Sequence, residues 1–260
     1  MDHPWPELKW WSSQDYQNVL TYLEAEDDWV LSPRRDRVFS GLADIDCSMV
    51  RVLILGQDPY PDNKLSTGTA FSIPKRVIPA NFPRTLRTIY KEYADDLKLP
   101  VPSHGCLRRW TDQGVLLLNA IPSLGKGGSL SHDWKEYHSL TREIVETLQQ
   151  KGIVFAFLGS VARRFEEYVT DDVNNRVICT SHPSPRGNLN SKTPFTGSRL
   201  FSTINSHLNA IGLEPIDWSL DVPAYHSGKE ALQGPSLDRT SGRLLSNTSG
   251  TDLGKLKSRR

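Results

Sequence analysis

The chain has 260 residues, 37% of them hydrophobic, with 31 Lys and Arg against 30 Asp and Glu. That composition supports one substantial core and offers no run near the roughly 20 apolar residues a membrane-spanning helix needs. A net charge of +1 excludes the strongly basic balance that would by itself mark a nucleic-acid partner, so any grip on an anionic polymer has to be local.

Residues 1–50 carry 4 Lys/Arg against 10 Asp/Glu, residues 51–220 carry 20 against 16, and residues 221–260 carry 7 against 4. Only the middle and the end are mildly basic. Cys47, Cys106 and Cys179 are odd in number, far apart and without a C-x-x-C pair. They read as reduced core residues rather than a disulfide framework, a zinc site or an iron–sulfur cluster. Met1-Asp2-His3-Pro4-Trp5 shows no secretory or transit signal, which predicts a protein that stays inside the cell.

The first predicted element is a helix over 14–26, with Tyr16, Val19, Leu20 and Leu23 on one face. From residue 50 short apolar runs alternate with amphipathic segments, the pattern of βαβ units around a parallel sheet. The strands are predicted at 50–55, 115–118, 153–158 and 176–180, each apolar enough to be covered on both faces. Between them, helical stripes are formed by Leu86, Ile89, Tyr90 and Tyr93, then by Leu140, Ile144, Val145 and Leu148, then by Val161, Phe165 and Tyr168, and last by Phe201, Ile204 and Leu208. The reading is an α/β fold: a single three-layer α/β/α domain over 1–220 around a short central parallel, mainly four-stranded sheet. Residues 221–260, rich in Gly, Ser, Asp and Lys, have too few large apolar groups to offset ordering entropy and read as a disordered tail.

Polar turn residues follow each strand at its carboxyl end: Gly56-Gln57-Asp58, Asn119, Gly159-Ser160 and Ser181-His182. In open α/β sheets that edge binds ligands. Four segments there predict an assembled pocket, with helix capping the alternative for Ser160.

Residues 52–73, VLILGQDPYPDNKLSTGTAFSI, closely resemble the water-activating motif of family 1 uracil-DNA glycosylases. The resemblance continues in order through GVLLLNAIPS, SHDWKEYH, FAFLGSVARR, TSHPSP, TGSRLFSTIN and EPIDW, spanning roughly residues 10–220. It implies hydrolysis of the N-glycosidic bond of flipped-out deoxyuridine in single- or double-stranded DNA, as the start of base excision repair. No metal or other cofactor is implied. The implied partner is uracil-containing DNA, met by a monomer without a membrane; a proteinaceous inhibitor and replication factors stay open as further partners. The implied location is the cytoplasm for a bacterial protein and the nucleus for a eukaryotic or viral one.

Residue by residue, the resemblance gives Asp58 the task of polarising the attacking water and His182 that of donating to uracil O2 as negative charge develops. Asn119 would read the uracil edge, Tyr60 would exclude the thymine methyl, Phe71 would stack on the base, and the Gln57 backbone would help to bind it. The DNA contacts implied are Pro83 and Thr85 in one loop and Ser184, Pro185 and Arg186 in another. A local Asx-turn remains the alternative role for Asp58.

Three positions depart from the family pattern: Arg186 stands where a leucine wedge is common, Pro83-Arg84-Thr85 replaces Pro-Pro-Ser, and Pro61-Asp62 replaces His-Gly. Arg186 could stack its guanidinium plane on bases or pair with phosphate. Two competing functions are a metal-dependent phosphohydrolase, for which no dense Asp/His cluster is present, and a noncatalytic uracil-DNA sensor.

Overall fold

The computed structural model describes residues 3–170, 175–188 and 191–221. The predicted tail, apart from Asp221, lies outside the described residues. All described elements fall in the compact unit Met1–Val222.

Four strands, β1 (Val52–Gly56), β2 (Val115–Asn119), β3 (Val154–Leu158) and β4 (Arg176–Thr180), form one parallel sheet in the order β2-β1-β3-β4. Eight helices accompany them among the described residues: α1 (Gln14–Ala25), α2 (Ser40–Ala43), α3 (Arg84–Leu97), α4 (Arg108–Thr111), α5 (Lys135–Gln149), α6 (Ser160–Arg163), α7 (Pro185–Asn188) and α8 (Leu200–Ala210). The predicted α/β class and its four parallel strands are therefore observed.

Side chains alternate between faces along a strand, so one short sheet organises two cores. Leu53, Leu55, Leu116, Leu118, Phe155 and Phe157 meet the apolar faces of α1 and α5 together with Trp10 and Trp11. On the other face Val52, Ile54, Val115, Leu117, Val154 and Ala156 meet α3 and α8 together with Trp110 and Trp218. The stripes read from the sequence for α3, α5 and α8 are the buried faces of those helices.

Capping fixes where two helices start. Ser13 Oγ accepts the Tyr16 N–H at 3.2 Å to open α1. For α8, buried Glu92 of α3 accepts the Gly197 and Arg199 N–H groups at 2.5 and 2.7 Å, and Asp96 accepts the Ser202 N–H at 2.8 Å. Carboxylates borrowed from a neighbouring helix thus satisfy the orphan donors and the positive end of α8.

Three expectations need correction. Strand β4 is an edge strand and only half covered, with Val177 38% exposed, whereas β1, β2 and β3 are buried throughout. The 161/165/168 stripe is not one helix: α6 is followed by a separate turn, Glu166–Tyr168, because the chain tightens to i→i−3 bonds at Arg164 and Phe165. All three cysteines are free, but only Cys47 is buried.

The chain leaves β1 for β2 on one side and then crosses to β3 on the other. The crevice beyond the carboxyl ends of β1 and β3 is the topological switch point of the sheet.

Candidate active site

A cavity of about 300 Å³ opens at that edge. Gln57, Asp58, Tyr60 and Phe71 line it from the segment after β1, Thr85 from the first turn of α3, and His182 and Ser184 from the loop after β4.

Asp58 is held through a single oxygen. Its Oδ2 accepts Ser129 Oγ–H at 2.5 Å, the Leu130 N–H at 2.9 Å and Gln57 Nε2–H at 3.1 Å. The local Asx-turn alternative is replaced by contacts from a loop more than 70 residues further along the chain. With Oδ2 saturated, Oδ1 is the acceptor left for a water molecule.

His182 is held locally. Its Nδ1 accepts the Ser184 N–H at 3.2 Å; in a neutral ring this puts the proton on Nε2, which becomes the donor. Burial lowers the His182 pKa below its ordinary value, and the nearby Asp58 charge opposes that shift. The imidazole is therefore neutral near pH 7. Two glycines let the ring sit so deep: a Cβ on Gly159, at φ 100°, would lie 2.9 Å from His182 Cβ, and one on Gly187 would overlap the His182 carbonyl oxygen.

Two strand ends lie behind the lining residue Phe71, and neither Gly56 nor Asn119 lines the cavity itself. Gly56 has no Cβ where one would lie 2.7 Å from Phe71 Cζ and 3.0 Å from Asn119 Oδ1, so the ring and the amide meet over the backbone. Asn119 is 5% exposed, and its Oδ1 is buried without a hydrogen-bond partner. An orphaned buried acceptor is costly unless a ligand completes it. Tyr60 O–H donates to the Phe71 carbonyl at 3.0 Å, and burial raises its pKa, keeping that proton in place. Phe71 itself adopts φ 63°, which this bond helps to hold.

The remaining candidates spread around the rim. Pro83 precedes α3 as its N-cap residue without a side-chain cap, while Pro185 and Arg186 lie exposed on α7; none of the three lines the cavity. Ser160 does not cap α6, whose N-cap is Gly159. Among the described residues no group of three or more His, Cys, Asp or Glu is arranged to hold a metal ion.

Sequence reasoning missed Ser129 and Leu130, which carry two of the three contacts to Asp58. Their segment, Gly125-Lys126-Gly127-Gly128-Ser129-Leu130, reads as an ordinary glycine-rich loop. Ser32 was missed as well: fully buried, it donates from Oγ to the Tyr60 carbonyl at 2.6 Å and pairs through its backbone with Leu124.

A profile described as the Uracil DNA glycosylase superfamily matches residues 44–209. A protein named uracil-DNA glycosylase from Acinetobacter baylyi is 36% identical over 201 residues, covering 76% of this chain and 82% of its own. One of the same name from Xanthomonas campestris is 40% identical over 190 residues, covering 72% and 76%. The chain belongs to the uracil-DNA glycosylase superfamily. The crystal structure of mimivirus uracil-DNA glycosylase matches its fold with a TM-score of 0.71 at 25% identity, covering 81% of this chain and 82% of that one. Within the superfamily match lie Asp58, Asn119 and His182, and so do Ser129 and Leu130.

Proposed function

We propose that this uracil-DNA glycosylase family member hydrolyses the N-glycosidic bond of flipped-out deoxyuridine in DNA, releasing uracil and leaving an abasic site. The observation that carries the reading is a cavity lined by a carboxylate with one free oxygen and a neutral imidazole with its proton on Nε2, with the buried, partnerless amide oxygen of Asn119 set behind its lining residue Phe71.

Each group answers a charge or an edge that the reaction presents. Cleavage develops positive charge on the sugar and negative charge on the departing base. Asp58 Oδ1 accepts a proton from the attacking water while its charge favours the cationic sugar. His182 Nε2–H donates to the base oxygen on which negative charge grows, and a neutral donor suits an anionic leaving group without first neutralising Asp58. Asn119 Oδ1 accepts uracil N3–H; cytosine has no proton there and would leave the oxygen orphaned. Phe71 stacks on the base, and Tyr60, pinned at both its hydroxyl and its carbonyl, meets the thymine methyl with a rigid edge.

A base reaches this depth only when it leaves the helical stack, at a cost of about a few kcal/mol. Contacts with the DNA backbone offset that cost. Thr85 sits in the first turn of α3, whose N–H groups have no side-chain cap, and Arg84 and Arg87 are exposed on the same turn; such a terminus suits a phosphate. Ser184, between Pro183 and Pro185, supplies the second stiff contact. Arg186 extends the rim with a cation that pairs with phosphate or stacks on a base. No described helix is long and apolar enough to cross a membrane.

The test is an oligonucleotide with one uracil, assayed for free base and an alkali-labile abasic site. The wild type releases uracil, and Asp58→Asn slows release by about 10²–10⁴-fold while still binding the DNA. Binding without release by the wild type would instead identify a sensor, and full turnover by Asp58→Asn would remove that residue from its role.

A further inference from the structure

We propose that Ser129 and the side-chain amide of Gln57 are positioning residues: together they clamp Asp58 so that only Oδ1 addresses the attacking water. The inference rests on the reading of Asp58 given above, and it assigns roles that the resemblance does not, since Gln57 was expected to act through its backbone.

The three polar groups form a closed triangle. Ser129 Oγ–H donates to Asp58 Oδ2 at 2.5 Å, Gln57 Nε2–H donates to the same oxygen at 3.1 Å, and Gln57 Nε2–H also donates to Ser129 Oγ at 2.9 Å. An O–H···O⁻ contact of that length is charge-assisted and among the stronger hydrogen bonds available to a serine. Only the amide nitrogen of Gln57 can face two acceptors at once, so its orientation is set by the network. A carboxylate free to rotate would exchange its two oxygens; the triangle and the Leu130 N–H remove that freedom.

The loop carrying Ser129 is built for placement. Its base is anchored by the Ser32–Leu124 backbone pair, by the Gly125 N–H to Ser131 Oγ bond at 2.8 Å, and by Ser123 Oγ, which lies 2.9 Å from His132 Nδ1 and 2.8 Å from Tyr137 Oη. His132 is buried and stacks on Trp134. At the tip Leu130 takes φ 64°, a conformation a leucine adopts only where its surroundings enforce it. It turns the Leu130 N–H onto Asp58. Ser129 itself is exposed, so its hydroxyl has no packing task, and replacing it leaves the core untouched.

The experiment measures single-turnover release from single-stranded uracil DNA by Ser129→Ala, Ser129→Thr, Gln57→Ala, Asp58→Asn and the Ser129→Ala/Asp58→Asn pair. Loss of one hydrogen bond to a charged group corresponds to about a tenfold fall in the chemical rate, with DNA affinity and melting midpoint unchanged. Ser129→Thr restores most of the rate, Gln57→Ala loses less than Ser129→Ala, and the double variant is no slower than Asp58→Asn alone. An unchanged rate for Ser129→Ala, a loss confined to DNA affinity, or losses that multiply in the double variant would each overturn the inference. Full turnover by Asp58→Asn would instead strike the underlying reading of the site, whereas an inactive Asp58→Asn with a fully active Ser129→Ala strikes the clamp alone.

Discussion

The two walls of the cavity are held in opposite ways. His182 takes its orientation from residues two to five positions on, the Ser184 N–H and the bare backbone of Gly187, with Gly159 at the end of β3 behind it. Asp58 takes two of its three contacts from a loop that returns after more than 70 residues. A histidine set by its own loop is robust to change elsewhere, while a carboxylate set by a distant loop depends on everything that anchors that loop. Substitutions at the two walls separate these behaviours.

The largest effect expected on the His182 side comes from His182→Ala, which removes the donor to the leaving group and lowers the chemical rate by about 10²–10³-fold. The pH profile sharpens the same point. Nδ1 accepts only in a neutral ring: protonation places a second N–H against the Ser184 N–H and breaks the contact that orients the Nε2 donor. Burial lowers the His182 pKa, so activity holds as pH falls to the ordinary histidine value of 6.5 and declines only below it. The Asp58 charge opposes the lowering; residual activity in Asp58→Asn therefore persists to lower pH than in the wild type. A decline centred above 6.5 would contradict a neutral His182.

This difference also decides what could be read from the sequence. His182 and its partner share one short motif, and Asp58, Tyr60 and Phe71 share another, so these residues, which the fold brings to one cavity, were legible locally. The sheet was legible too, since β1 and β3 are apolar, β2 is apolar up to its closing Asn119, and two of the long helices flanking them carry clean stripes. Ser129 and Ser32 were not. Their contacts join segments 71 and 28 residues apart, and a serine in a glycine-rich loop or before a proline carries no periodic signal. The 161/165/168 stripe misled because burial at helical spacing is also met by a short helix followed by a tight turn.

Smaller effects are expected at Asn119 and Tyr60, where binding and discrimination are at stake. Asn119→Ala removes the orphaned acceptor and with it about 1–3 kcal/mol of uracil recognition, read as a fall in kcat/KM. Because the wild-type acceptor is buried without a partner, the variant is no less stable than the parent. Tyr60→Ala behaves oppositely. It deletes a packed ring together with its hydroxyl bond to the Phe71 carbonyl and lowers stability by about 3–5 kcal/mol, yet it opens the edge that meets the thymine methyl, so thymine release becomes measurable. A Tyr60→Ala protein that still rejects thymine would move discrimination away from this ring.

The smallest effect belongs to the rim. Arg186 is exposed on α7 and outside the cavity, so its contribution is screened and confined to DNA. If its guanidinium pairs with phosphate, Arg186→Ala weakens binding to single- and double-stranded uracil DNA alike and reduces the slope of log affinity against log salt by about one. If instead it stacks in the gap left by the flipped base, the loss falls on the duplex alone and the salt slope hardly moves, because a single strand leaves no gap to fill. Arg186→Leu separates the two, restoring duplex turnover only where filling the gap is what matters. Neither outcome disturbs His182, whose contacts run through the backbone of Ser184 and Gly187 rather than through the Arg186 side chain.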